Sequence, residues 1–314
     1  MKILITGGCG YVGSRLVPKL LLDNHYVHVV DAQWFGNFLS EDPNLKVEKK
    51  SIFDLEQNDL KDVEVVIHLA NIANDPSVEL DPSLSWNTNV LGTMHLLELS
   101  KKAEIQLFLF SSSGSVYGVK EEEKVTEELE LVPISLYNKT KMIAERVVKS
   151  YEAHFRCISI RPATVCGYSP RMRLDVLINM FVYQAYAKHE IDVFGGNQVR
   201  PNIHIDDLVD VFAHFLTKPN LKSGAYNAGF ENIAVKTAAE KVSEIIPARL
   251  NFHESNDPRS YRQDSTKLID TGFEPKRSVE IAIQEILYKL DTKMLVDDDR
   301  WYTVKQMKKL GMFK

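Results

Sequence analysis

The chain opens Met1-Lys-Ile-Leu-Ile-Thr-Gly-Gly-Cys-Gly-Tyr-Val-Gly-Ser14, and the reading of the fold spreads outward from this stretch. Lys2–Thr6 is a short apolar run that reads as a buried strand. Gly7, Gly10 and Gly13 follow three residues apart, and helical spacing begins at once, with Leu16, Leu20 and Leu21 on one side of a helix over Ser14–Asn24. A strand that enters a helix through spaced glycines suits a dinucleotide pyrophosphate. Glycine permits the tight turn and a close backbone approach, while the helix N-terminus offers unpaired N–H groups and partial positive charge. The bland alternative is a structural strand–helix turn, and the context favours binding.

A second strand, Tyr26–Val30, ends at Asp31. A carboxylate at that position accepts hydrogen bonds from both ribose hydroxyls and repels a 2′-phosphate. Ala32, Gln33 and Trp34 follow, with no Arg or Lys to receive that phosphate, so NAD is expected over NADP. Lys46–Lys50, Val63–Leu69, Gln106–Phe110 and Cys157–Arg161 read as further strands, and Leu84–Ala103 and Ser135–His154 as helices between them. Strands alternating with long helices point to an α/β fold, a doubly wound parallel sheet covered on both faces. After Gly167 the pattern is less regular, with helices expected over Leu174–Lys188, Asp206–Thr217 and Thr237–Ile246. The expected organisation is a Rossmann-type NAD-binding domain over 1–167 and a smaller, mainly substrate-binding α/β domain over 168–314, with the chain interleaving between them. Lys120–Glu130 reads as a solvated acidic loop. The tail from Asp291 reads as either a terminal helix or a partner contact.

Composition sets outer limits. At 314 residues, 44% apolar and 26% charged, the chain is an ordinary globular protein rather than collagen, coiled coil or bulk disorder. A net charge of −5 argues against a nucleic-acid or membrane-surface binder, without excluding local basic pockets. Three cysteines, Cys9, Cys157 and Cys166, fit a reducing compartment better than a disulfide framework. The first residues are too soon broken by glycines for a signal peptide, and no apolar stretch approaches a membrane span, so the expected location is the cytoplasm. No metal site is expected.

The chemistry centres on three positions. Tyr137 and Lys141 stand four apart, on one face of a helix. A phenol with an ordinary pKa of ~10 is too weakly acidic to serve as a base at neutral pH, and a neighbouring ammonium lowers that value. Such a pair suits general-base work beside an oxidised nicotinamide, although the same spacing arises by chance on many helices. Ser111-Ser-Ser113 ends a strand, where α/β sheets place ligands, and it equally suits a helix cap. Asp54 reads as a cap or an adenine contact with equal weight. His68 reads as a packed, hydrogen-bonded residue.

Glycine turn, Asp31, strand-end serines and Tyr137/Lys141, in that order, resemble the extended short-chain dehydrogenase/reductase family, the branch of nucleotide-sugar epimerases, dehydratases and reductases. His68-Leu-Ala70, Asn89–Thr93, Ser111–Gly118, Arg161–Gly167, Arg200–Asp207 and Tyr226–Gly229 extend the resemblance over nearly the whole chain. It implies a catalytic triad of Ser113, Tyr137 and Lys141, with Lys141 also bonding the nicotinamide ribose. It implies NAD contacts from Gly7, Gly10, Tyr11, Val12, Gly13, Asp31, Leu69, Ala70 and Pro162, with Asp54 and Leu55 holding the adenine. It also implies that Asn179, Arg200 and Arg259 bind a nucleotide diphosphate while Ser113 contacts the sugar. Val193–Phe194 suit a base or the core. Arg171 and Arg173 add positive charge in favour of an anionic substrate.

The departures are Pro201-Asn202 in place of an aromatic after Arg200, Asn71 in place of a small residue, and Asn138-Lys139 after Tyr137. Ser113 is followed by Gly114-Ser115 rather than by an acidic pair, which disfavours a dehydratase. The expected function is an NAD-dependent nucleotide-sugar epimerase acting at C4 through a 4-keto intermediate. The alternatives are a nucleotide-sugar dehydrogenase or 4-keto reductase with the same residues, and a dinucleotide-sensing protein without turnover. A homodimer through Leu84–Ala103 and Lys139–Ala153 is expected from the resemblance.

Overall fold

A computed structural model describes residues 1–255 and 260–312. The strands of its main sheet are β1 (Lys2–Thr6), β2 (Tyr26–Asp31), β3 (Leu45–Lys49), β4 (Val65–His68), β5 (Leu107–Ser111) and β6 (Arg156–Pro162). Three strands follow outside it, β7 (Thr164–Cys166), β8 (Glu190–Phe194) and β9 (Val199–His204), and then β10 (Gly224–Ala228), which returns to the main sheet. That sheet has seven strands in the order β10-β6-β5-β4-β1-β2-β3, and every pairing is parallel. This is the Rossmann-type doubly wound arrangement that the alternation of strands and helices implies.

Side-chain alternation builds the two faces. Ile3, Ile5, Val65, Ile67 and Leu109 point one way, onto Leu16 and Leu20 of the helix Gly13–Leu22 and Phe212 and Phe215 of the helix Ile205–Thr217. Leu4, Val66 and Phe108 point the other way, onto Leu96 and Leu97 of the helix Gly92–Lys102 and Ala144 and Val148 of the helix Leu136–Lys149. Burial on both faces is why these strands read as continuous apolar runs.

The strand order reverses between β1 and β4, and the crevice outside their C-terminal ends is the fold's ligand position. There the glycine turn lies hard against the residues after β4. Gly7 has φ +76°, and a Cβ on it would meet the Ala70 backbone nitrogen at 2.5 Å. A Cβ on Gly13 would meet the Gly8 carbonyl oxygen at 2.4 Å, which explains the third glycine.

Residues after β6 build a second, smaller core. β11 (Glu231–Ala234) pairs antiparallel with β9, β7 pairs parallel with β9, and β12 (Arg249–His253) pairs parallel with β8. Helices Leu177–Lys188, Val235–Ile245 and Val279–Asp291 enclose Phe181, Val182, Ala239, Ile283 and Ile286. No helix among the described residues is long and apolar enough to cross a membrane.

Two local readings change, and the tail takes the helical one of its two readings. The single helix expected over Leu84–Ala103 is broken into Pro82–Trp86, a π-helical turn Asn87–Leu91, and Gly92–Lys102. The wider turn frees the Asn89 amide, which accepts from the Ile72 N–H at 2.7 Å and donates to its carbonyl at 3.1 Å, pinning the loop after β4. The acidic loop is not merely solvated. Val125 is fully buried, and Glu127 accepts from the Asn227 N–H at 2.6 Å. The tail forms a short turn at Asp299–Trp301 and the helix Thr303–Lys309, packed back onto the crevice.

Candidate active site

A cavity of about 480 Å³ runs along the C-terminal ends of β1, β2, β4 and β5. Gly7, Gly10, Tyr11, Val12 and Gly13 line it at one end, together with Asp31, Leu69 and Ala70; Ser113, Tyr137, Lys141 and Pro162 line the same space. The structure therefore brings together residues that lie up to 155 positions apart in sequence, from Gly7 to Pro162.

Each is placed by local structure. Gly10 donates to the Gly7 carbonyl at 3.1 Å, closing the turn, and Ser14 N–H bonds Gly10 to start the helix. Asp31 accepts from Cys9 N–H at 3.0 Å through one oxygen and from Gln33 N–H at 2.6 Å through the other, leaving a lone pair on each. Burial raises its pKa, opposed by these two bonds and by Arg171. Ser113 caps the short turn Gly114–Tyr117, and its hydroxyl bonds Ser115 Oγ at 2.7 Å; Ser115 in turn donates to Asn138 Oδ1 at 2.6 Å. Both readings of Ser113, cap and cleft residue, hold together. Ser135 caps the helix that carries Tyr137 and Lys141.

Behind the site lies a closed polar network. Arg161 forks onto the buried Glu145, Ser112 Oγ donates to the same carboxylate at 2.6 Å, and Arg161 donates to the Tyr117 hydroxyl at 2.6 Å. His68 is likewise structural, held between Thr6 Oγ1 at 2.7 Å and Thr93 Oγ1 at 2.9 Å, and burial lowers its pKa to about 3.

The electrostatics of Tyr137 differ from the simple Tyr/Lys expectation. Burial raises its pKa to about 12, and the cation that opposes this is Arg173, assisted by a hydrogen bond from Ser113. Lys141 is itself buried, with its ammonium 4.6 Å from the centre of the Phe110 ring; burial lowers its pKa to about 7 against the pull of Glu145. Arg173 is fixed by Asp175 at 2.8 Å, and Asp175 accepts from the Thr303 N–H of the tail at 2.8 Å.

Three sequence-derived positions lie elsewhere. Asp54 and Leu55 are not at the cavity wall, which is formed instead by Lys50, Ser51, Ile52 and Phe53. The turn Ile52–Asp54 directs Leu55 into the core, where it is 2% exposed, and leaves Asp54 facing solvent. Asn179 is completely buried rather than open to a ligand: it accepts from Gly167 N–H at 3.0 Å and donates to Tyr11 OH at 3.0 Å and the Arg173 carbonyl at 2.9 Å. Of the apolar pair, Val193 is core, while Phe194 is exposed and stacks on His253. Arg259 lies outside the described residues.

Arg200 lines a second cavity of about 480 Å³, which shares Asn74, Asp75, Ser115, Thr164, Asp175, Val176 and Tyr261 with the first. Tyr302, Val304 and Lys305 of the tail complete it, and Thr303 and Met307 line the first cavity. Sequence reasoning missed these tail residues. The aromatic and basic character of 301–309 was the available signal, but nothing local ties it to the crevice.

The donor set fits a dinucleotide. A helix N-terminus with a clear backbone approach faces the cavity, Asp31 keeps acceptor capacity for ribose hydroxyls, and Arg171 brings a buried cation whose Nε has no partner among the described residues.

Comparison with known proteins agrees. Residues 3–229 match the model of the NAD dependent epimerase/dehydratase family. The chain belongs to that family, whose members are NAD-dependent enzymes. It is 30% identical to the UDP-glucose 4-epimerase of Lactobacillus helveticus over 88% of this chain and 92% of that one. It is 28% identical to UDP-glucuronic acid decarboxylase 1 of Arabidopsis thaliana over 95% of this chain and 72% of that one. The fold matches the UDP-glucuronic acid 4-epimerase of Bacillus cereus, solved with UDP-glucuronic acid and NAD. The TM-score is 0.84 at 25% identity, covering 93% of this chain and all of that one.

Proposed function

We propose that the protein is an NAD-dependent epimerase that inverts C4 of a sugar carried on a nucleoside diphosphate, through a 4-keto sugar. The observation that carries this is the convergence of Ser113, Tyr137 and Lys141 on one cavity with the glycine turn and Asp31. Bound NAD supplies the hydride acceptor and donor. Tyr137 takes the proton from the 4-hydroxyl, and Arg173 and Ser113 favour its ionised form. Ser113 orients the reacting oxygen. Lys141 holds the nicotinamide ribose. Gly7, Gly10, Tyr11, Val12, Gly13, Asp31, Leu69, Ala70 and Pro162 form the cofactor wall. Arg200 and Lys305, in the adjoining cavity, hold the diphosphate, so that binding energy far from C4 positions the reacting end. The relatives named above carry UDP-sugar names, which supports a uridine nucleotide.

The same reading takes 1–167 as the cofactor-binding part and 168–314 as mainly substrate-binding. It places the protein in the cytoplasm, in keeping with three free cysteines, as a homodimer. Trp86, Leu91 and Met94, exposed along Pro82–Lys102, supply an apolar face for that contact, and sedimentation velocity tests it.

The functional test combines mass spectrometry of the small molecules released from purified protein with a screen of UDP-sugars for C4 interconversion. Retained NAD and interconversion without net NADH are expected. Stoichiometric NADH would identify a one-way dehydrogenase instead. Tyr137→Phe should abolish hydride transfer, a loss of at least ~10³-fold, while NAD binding stays within about twofold; unchanged turnover would remove Tyr137 from the mechanism.

A further inference from the structure

We infer that Arg171 clamps the pyrophosphate of the bound dinucleotide from the side opposite the glycine turn. The inference rests on the cofactor reading and adds a residue from the second half of the chain to it.

Arg171 is 3% exposed, yet among the described residues no carboxylate lies within ion-pair distance of it and its Nε is unpartnered. Its guanidinium lies 3.9 Å from the centre of the Phe35 ring, four residues beyond Asp31. A buried, unpaired cation is expensive, so its presence calls for an anion that the site receives. Burial lowers its pKa to about 9.

Its position selects which anion. Arg171 lines the cavity of the glycine turn and Asp31, and not the adjoining cavity of Arg200 and Lys305. The loop that carries it is laced to the turn: Tyr11 OH donates to the Gly167 carbonyl at 2.7 Å, and Ser169 Oγ donates to the Tyr11 carbonyl at 2.8 Å. Two residues beyond Ser169, Arg171 lines the same cavity as Tyr11 and the glycine turn, whose helix N-terminus suits a pyrophosphate. Arginine's fork and its tolerance of aromatic stacking suit this role. The positive charge is thus assigned to the cofactor, whereas composition alone directs it to the substrate.

The test is calorimetric binding of NAD, ADP-ribose and UDP to NAD-stripped wild type, Arg171→Met and Arg171→Lys. Arg171→Met should weaken NAD and ADP-ribose equally, by about 10- to 100-fold, and leave UDP within about twofold. Arg171→Lys keeps the charge without the fork and should lose less than Arg171→Met but remain measurably weaker than wild type. That variant decides the matter if Arg171→Met does not fold. Unchanged NAD and ADP-ribose affinity in a folded variant, or a loss confined to UDP, would overturn the assignment while leaving the cofactor reading intact. Wild type that binds UDP but no dinucleotide would overturn both.

Discussion

Replacing Lys141 by Met should stabilise the ligand-free protein, and by an amount that depends on pH. Burial lowers the Lys141 pKa from 10.5 to about 7. The difference, about 3.5 pH units at ~1.36 kcal/mol each, corresponds to about 5 kcal/mol. That figure is a ceiling, because the ammonium lines a cavity that water can enter. The sign follows from proton counting. Below about pH 7 the lysine is charged in both folded and unfolded states, and the full cost of burying it weighs on the wild type. Between about 7 and 10.5 the folded state has released the proton while the unfolded state keeps it, so wild-type stability rises with pH. Above that window the cost is gone. Urea unfolding of both proteins at several pH values, followed by fluorescence, gives the difference directly, and titrating groups remote from Lys141 cancel. Lys141→Met should be more stable by up to about 5 kcal/mol near pH 6, and the gain should shrink steadily toward pH ~10. A pH-independent difference, or a variant less stable at the acid end, would refute the reasoning. The wild type thus sacrifices stability for a cation beside its Tyr137 helix face.

Two further outcomes follow from packing. Gly7→Ala places a Cβ 2.5 Å from the Ala70 nitrogen at a φ of +76°, so it should cost ~2–4 kcal/mol and abolish NAD retention. Retained NAD, read by its absorbance after gel filtration, would count against the close approach. Arg161→Met leaves Glu145 charged and buried without its cation, with only the Ser112 hydroxyl bonded to it, and should cost ~3–5 kcal/mol in urea unfolding. The double change Arg161→Met, Glu145→Leu should recover much of that loss, and a strictly additive double variant would contradict the coupling.

The parts legible in the sequence were those whose cause is local. The glycine spacing, the apolar runs and the Asp31 strand end each follow from steric or burial constraints within a few residues, and the seven-stranded sheet is consistent with them. The meeting of Ser113, Tyr137 and Lys141 on one cavity was legible because a strand end and one helix face suffice to aim them. Asp54 and Leu55 stand off the cavity because a short turn rotates which residue meets it, moving the wall to Ser51–Phe53. The burial of Asn179 was not legible because its partners, Tyr11 and Gly167, come from other segments. Arg173 as the cation acting on Tyr137, and the tail residues in both cavities, depend wholly on tertiary packing and leave no periodic trace.

The tail carries one more consequence. Gln306 donates to the Trp34 carbonyl at 2.8 Å across 272 positions of sequence, and Met307 packs in a cluster with Trp34 and the Tyr137 ring. A nascent chain therefore displays its glycine turn, Asp31 and the Tyr137 ring long before residues 303–307 emerge to roof them over. Contacts of such long range carry the largest loop-closure entropy. The roof of the crevice is thus completed only once the last stretch of chain has packed back, whereas its floor rests on segments made early.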